Sequence, residues 1–136
     1  MNSRGRIAAG GISLLIYLVI FLLSSLPAGS LPSHIPDFIP HILEYFVLAF
    51  FFIQVFPRPG RGSCLAAAFL ALAVLGILDE WHQLTVPGRV FSLLDWLYDI
   101  GGALAGLAAF RFLDQWSIRK SGRKIARRFN FLLLHR

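Results

Sequence analysis

The sequence is poor in cysteine and in charged residues, and each shortage excludes a class of protein. Cys64 is the one cysteine among 136 residues, so no disulfide can form within the chain. Only 15% of the residues are charged, whereas 57% are hydrophobic. A soluble domain of this size cannot bury so much apolar surface, but a lipid bilayer can cover it. The composition therefore predicts an integral membrane protein.

The net charge of +6 comes from basic residues that flank the apolar segments. They are Arg4 and Arg6 before the first segment, Arg58 and Arg61 between the second and third, and eight residues from Arg111 onward. This is the positive-inside pattern, which predicts that both termini are cytosolic and that loops 27–37 and 85–92 lie outside. Because membrane attachment accounts for these charges, we expect no nucleic-acid partner.

Four apolar segments are long enough to cross a bilayer as helices, which takes about 20 residues. They cover residues 7–26, 38–56, 64–84 and 93–113, with proline and glycine in the connections. The first segment has the charge pattern of a signal peptide, but Leu26-Pro27-Ala28 is a poor cleavage site. The predicted fold is an all-α bundle of four transmembrane helices over residues 1–114.

Residues 115–136 form a basic tail after the last predicted span. Its basic residues recur in pairs: Arg119, Lys120, Arg123, Lys124, Arg127 and Arg128. Apolar residues fall on another side of the same helical pattern. We therefore expect a cytosolic amphipathic helix that lies on anionic lipids of the membrane surface. A disordered tail that anchors the chain by charge alone is the alternative.

Six of the seven acidic residues fall toward the predicted outer side of the membrane. They are Asp37, Glu44, Asp79, Glu80, Asp95 and Asp99, and Arg89 is the basic residue among them. Ionisable side chains at membrane depth are costly, so they tend to face a bundle interior or an aqueous cavity and to mark function. The acidic residues are therefore the first candidates for a functional site.

Helical spacing indicates which polar residues can meet, since positions three or four apart lie side by side. The shared faces are His41, Glu44 and Tyr45 on the second helix; Asp79, Glu80, His82 and Gln83 on the third; and Asp95, Asp99, Gly102 and Gly106 on the fourth. The short connection predicts that the third and fourth helices are antiparallel neighbours with adjacent polar ends. Gly102 and Gly106 are spaced to let another helix approach closely.

Several kinds of chemistry fit these residues. Glu80 and Asp79 are the candidate catalytic residues, because paired carboxylates can serve as general acid and base. Imidazole and carboxylate groups could hold a divalent metal, but the ligands would have to come from several helices, so we expect no metal and no cofactor. Arg89 could bind a phosphate through both guanidinium nitrogens. A structural network of helix caps and ion pairs with Arg89 is the alternative.

The order of these residues resembles the VanZ-like family of bacterial membrane proteins. The pattern is Pro36-Asp37, His41, Tyr45, Asp79-Glu80-x-x-Gln83, Pro87-Gly88-Arg89, Ser92, Asp95, Asp99, Gly102 and Gly106. Two positions depart from it: Phe38 stands where a lysine is frequent, and Asp99 where asparagine is common. The family is named for low-level resistance to teicoplanin. The resemblance therefore implies a cell-envelope role in the bacterial cytoplasmic membrane, with no catalytic residue to carry over.

Three functions remain open on this basis. The first is binding of a lipid-linked cell-wall precursor or a lipoglycopeptide by an outer polar cavity. The residues expected to line that cavity are Asp37, His41, Glu44, Tyr45, Gln83, Arg89, Asp95 and Asp99. The second is a membrane-embedded acid/base or metal-assisted hydrolase or transferase that acts on a polyprenyl-phosphate-type lipid. The third is a small transporter or assembly subunit, a homo-oligomer built through the glycine face.

Overall fold

The computed structural model describes residues 3–27, 30, 36 and 38–134, with side chains described as far as residue 121. Within these residues the chain is helical and contains no strand. The helices are α1 (Ser3–Ser24), α2 (Phe38–Phe52), α3 (Gly62–Gln83) and α4 (Leu93–Leu134), and a 3-10 turn (Ile53–Val55) extends α2. Four stretches are long and apolar enough to cross a membrane: 3–24, 38–55, 62–83 and 93–121. The predicted all-α, multi-pass membrane architecture is confirmed.

Local sequence explains where the helices end. Phe56, which precedes a proline, has an extended backbone (φ −72°, ψ 148°), because proline disfavours a helical conformation at the residue before it. Gly88 has φ 77°, a left-handed conformation that glycine adopts without strain, and it turns the chain between α3 and α4. Ser92 caps α4 by accepting a hydrogen bond of 3.2 Å from the Asp95 N–H through its hydroxyl.

The largest interface lies between α2 and α4, and two glycines permit it. A Cβ at Gly102 would overlap the carbonyl group of Ile42, and a Cβ at Gly106 would overlap that of Phe46. Without side chains at these positions, the two helix backbones pack directly against each other. The buried apolar core around this interface comprises Ile20, Tyr45, Leu48, Ala49, Ile53, Ala68, Leu72, Ala103 and Leu107.

The fourth helix continues well beyond residue 113, the predicted end of its span. No proline interrupts it, and two side-chain contacts on its surface join residues three or four positions apart, as is typical of a helix. Arg111 lies 4.0 Å from Asp114 one turn later, and the Lys120 amine lies 4.8 Å from the centre of the Trp116 ring. The backbone of the basic tail is therefore helical as far as Leu134. That this part lies on a membrane surface stays a prediction.

Candidate functional site

Four ionisable side chains from three helices meet at one end of the bundle, and we call them the His41 cluster: His41, Glu80, Asp95 and Asp99. His41 lies in the first turn of α2, Glu80 near the end of α3, and the two aspartates in the first two turns of α4. These helix ends are adjacent because α2, α3 and α4 alternate in direction. One ligand atom each from His41, Glu80 and Asp95 lies within 4.8 Å of the others.

The His41 ring is held between the two aspartates of α4. Its Nδ1 lies 2.9 Å from Asp99 Oδ1, and its Nε2 lies 4.0 Å from Asp95 Oδ2. Asp99 is 1% exposed, so the shorter contact is shielded from water. An ionised carboxylate can only accept, so with Asp99 ionised the Nδ1–H of His41 donates to it. This bond orients Nε2 toward Asp95.

Glu80 joins α3 to the start of α4. The Glu80 side chain is fully buried; its Oε2 accepts a 2.7 Å hydrogen bond from the Ser92 N–H, and its Oε1 accepts one of 3.3 Å from the Gln83 amide. In a capping box, the acidic residue three positions after the cap accepts the N–H of the cap. Here Glu80, on the neighbouring helix, accepts the N–H of Ser92 in place of Asp95. The Asp95 carboxylate therefore does not make this bond and faces His41.

Asp79 and His82 lie against α1 and form a separate group. The Ser24 hydroxyl donates a 2.7 Å hydrogen bond to Asp79 Oδ1, and His82 Nε2 lies 2.9 Å from the Ser25 hydroxyl. The His82 ring also stacks on Phe21. Because Ser25 gives its one proton to the Phe21 carbonyl, it accepts from His82 and is not an activated nucleophile. Asp79 thus bonds to α1, whereas the adjacent carboxylate of Glu80 bonds to the start of α4.

Two buried oxygen atoms next to the cluster have no hydrogen-bond partner among the described residues. They are Tyr45 Oη and Asp99 Oδ2, and each residue is 1% exposed. Both face Gly76 on α3, where an added Cβ would lie 3.4 Å from the tyrosine oxygen and 3.3 Å from the aspartate oxygen. Glu44, one turn after His41, is half-buried.

Arg89 lies in the connection between α3 and α4, half-buried at the same end of the bundle. Its Nε atom is buried and has no hydrogen-bond partner in the described part of the chain. The ion pair with Glu80 or Asp95, the structural alternative for Arg89, does not form among these residues. Asp37, also expected in the site, lies outside the described residues.

Some contacts of this region could not be found from spacing along the chain. Ser24 and Trp96 are examples: Ser24 bonds to Asp79 from α1, and the Trp96 indole donates a 2.9 Å hydrogen bond to the Ala73 carbonyl, so it packs α4 on α3. By contrast, the Ser92 cap has a local signal, because a serine three residues before Asp95 is typical of a helix start.

The glycine face of α4 is covered by α2 of the same chain. Gly102 and Gly106 do promote close helix packing, but the partner is intramolecular. The two glycines therefore pack α4 on α2 within one chain, and a homo-oligomer stays a prediction.

Comparison with known proteins gives one positive result. A family model described as VanZ/LLP1 matches residues 11–114, which is more than half of the chain and includes all four members of the His41 cluster. No curated protein and no solved structure gave a significant match to this chain. The ordered series of polar residues and the family match agree, and the chain belongs to the VanZ/LLP1 family.

Proposed function

We propose that this protein is a cell-envelope protein of the bacterial cytoplasmic membrane that binds a lipid-linked cell-wall component or a lipoglycopeptide of the teicoplanin type at its polar end. The observation that carries the proposal is the half-buried Arg89 guanidinium, which has no ion pair among the described residues and lies at the same end as the His41 cluster. A half-buried arginine without an ion pair, at the end of four membrane spans, can bind an anionic headgroup.

The residues differ in how accessible they are to such a ligand. The side chains of His41 and Asp95 are 15% and 24% exposed, so they can contact a ligand that enters from the polar end. Glu80 and Asp99 are buried and bonded to their neighbours, so they position the others. Arg89 would bind phosphate through two parallel hydrogen bonds, while His41 and Asp95 would bond to hydroxyl or amide groups of the ligand.

The binding of undecaprenyl phosphate to the protein in lipid nanodiscs tests this proposal. Losing a charge-assisted hydrogen bond costs about 1.5–3 kcal/mol, which corresponds to a loss of affinity of about ten- to a hundredfold. We expect that loss for Arg89→Gln and a smaller one for Arg89→Lys. Arg58→Gln is the matched control, because it removes one exposed cation at the opposite end of the bundle. Equal affinity of Arg89→Gln and wild type would contradict the proposal.

A second candidate function is hydrolysis of a polyprenyl-phosphate-type lipid, and the contacts of His41 favour it. In that reaction water forms a bond to phosphorus, the ester P–O bond breaks, and the base takes the proton of the water and returns it to the departing oxygen. The sequence suggested Glu80 or Asp79 as the base. The geometry favours His41, because its side chain is 15% exposed whereas Glu80 is fully buried.

Two substitutions distinguish the candidate bases. If His41 is the base, His41→Gln abolishes phosphate release from the lipid and Glu80→Gln retains part of it; the reverse order assigns the base to Glu80. Release that survives in both variants would exclude both residues as the base, whereas no release by the wild type would leave binding as the function.

A further inference from the structure

We infer that His41, Glu80 and Asp95 form a binding site for a divalent metal ion of the zinc or manganese class, with Asp99 positioning the histidine. The sequence alone allows a metal but does not predict one, because its ligands would have to come from several helices. Folding brings them together. The inferred metal site is the same site as that of the proposed function. Binding of the ion does not depend on that function, but the role of the ion rests on it.

The first argument is distance. One ligand atom from each of the three residues lies within 4.8 Å of the other two. Zinc binds imidazole nitrogen and carboxylate oxygen at about 2.0–2.2 Å. The Nε2 of His41 lies 4.0 Å from Asp95 Oδ2, too far for a hydrogen bond. Ligand atoms at about 2.0–2.2 Å from a tetrahedral ion lie about 3.3–3.6 Å apart, so the side chains would approach one another by about 1 Å on binding.

The second argument is the orientation of His41. A metal-binding histidine usually donates its other ring N–H to a carboxylate or carbonyl, which fixes the ring and directs the free lone pair at the metal. Asp99 accepts the Nδ1–H of His41 at 2.9 Å. The lone pair of Nε2 therefore faces Asp95. This contact is independent of the ligand set, since Asp99 is not one of the three ligands.

The third argument is charge. Three carboxylates, those of Glu80, Asp95 and Asp99, surround a single imidazole in the membrane-spanning part of the bundle. No lysine or arginine lies within ion-pair distance of them among the described residues. The Asp99 side chain is buried and its Oδ2 has no partner there. Buried carboxylates without a counter-charge are costly, and a divalent cation would supply two positive charges.

The donor set indicates the class of ion. One imidazole nitrogen and two carboxylate oxygens suit zinc and manganese, whereas soft ions prefer sulfur ligands. Glu80 can ligate although it accepts two hydrogen bonds, because each carboxylate oxygen has two lone pairs. Ligation uses the Nε2 lone pair and is incompatible with His41 as a general base. The inference therefore favours the binding function, in which the ion and Arg89 both attract the phosphate.

The test measures metal binding in the absence of lipid. The full-length protein, purified in detergent without a polyhistidine tag and stripped with a chelator, is titrated with Zn²⁺ and with Mn²⁺ by calorimetry. Cobalt(II) absorption spectra report whether a histidine ligates the ion. We expect one ion per wild-type chain, at least a tenfold weaker affinity in Asp95→Asn, and a loss of about ten- to a hundredfold in Asp99→Asn.

Asp95→Asn is the main variant because its carboxylate accepts no hydrogen bond from the described residues, so folding does not depend on it. Thermal unfolding without metal checks that both variants are folded. His82→Gln and Asp114→Asn are matched controls that remove a histidine and a carboxylate outside the ligand set, and they should bind metal like the wild type. Absence of binding to the wild type, or equal affinity in Asp95→Asn and His82→Gln, would overturn the inference. Lipid binding that depends on Arg89 would stand in either case.

Discussion

Replacing Gly102 by alanine tests the packing of α2 on α4, which brings His41 to the aspartates of α4. An added Cβ at residue 102 would overlap the Ile42 carbonyl oxygen and lie 3.0 Å from the Ile42 Cα. Both atoms belong to the backbone and cannot rotate away, so the two helices must separate. Overpacking of this kind costs about 1–3 kcal/mol.

Gly101→Ala is the control for this substitution. It is the same chemical change one residue earlier on the same helix, where an added Cβ meets nothing within 4 Å. Alanine is favoured over glycine in a helix by about 0.5–1 kcal/mol, and both variants gain that amount. The difference between the variants therefore measures the overlap with α2 alone.

The assay is reversible unfolding of the purified protein in mixed micelles, with helicity followed as the denaturing detergent increases. We expect Gly101→Ala to equal or exceed the wild type in stability and Gly102→Ala to be about 1–3 kcal/mol less stable than Gly101→Ala. Equal stability of the two alanine variants would refute the direct packing of the backbones. A change in oligomeric state without a change in monomer stability would assign the glycine face to a second copy.

Two further substitutions test the polar contacts by the same unfolding assay. Ser24→Ala removes one hydrogen bond to the Asp79 carboxylate at a buried contact between α1 and α3, which should destabilise the protein by about 1.5–3 kcal/mol; an unchanged stability would contradict this contact. Glu80→Ala leaves the Ser92 N–H without its acceptor and should destabilise the protein by a similar amount. Glu80→Gln keeps an acceptor and should destabilise it less. Equal losses of stability in the two variants would show that the contact does not stabilise the helix junction.

Much of the fold could be predicted from the sequence because bilayer thickness sets the length of a spanning helix. The predicted start of α2 at residue 38 and of α4 at residue 93 agree with the structure, since proline and the Ser92 cap act locally. The end of α4 was not predictable in the same way. Hydropathy marks where an apolar span ends, but a helix without a proline or a cap continues into polar sequence.

The candidate site was only partly predictable, because helical spacing gives the faces but not their partners. Asp79 and Glu80 are neighbours in sequence, yet one bonds to Ser24 on α1 and the other to Ser92 at the start of α4. Consecutive residues on a helix point about 100° apart, so adjacent carboxylates can serve different interfaces. Which helix each one meets depends on tertiary packing, including the close approach that Gly102 permits.

The most direct test of the proposed function compares two lipids that differ only in the headgroup. The affinity of the wild-type protein in nanodiscs is measured for undecaprenyl phosphate and for the alcohol undecaprenol. If Arg89 and the His41 cluster recognise the phosphate, the phosphate-bearing lipid should bind at least about tenfold more tightly, and Arg89→Gln should abolish most of that difference. Equal binding of the two lipids would contradict headgroup recognition at this site.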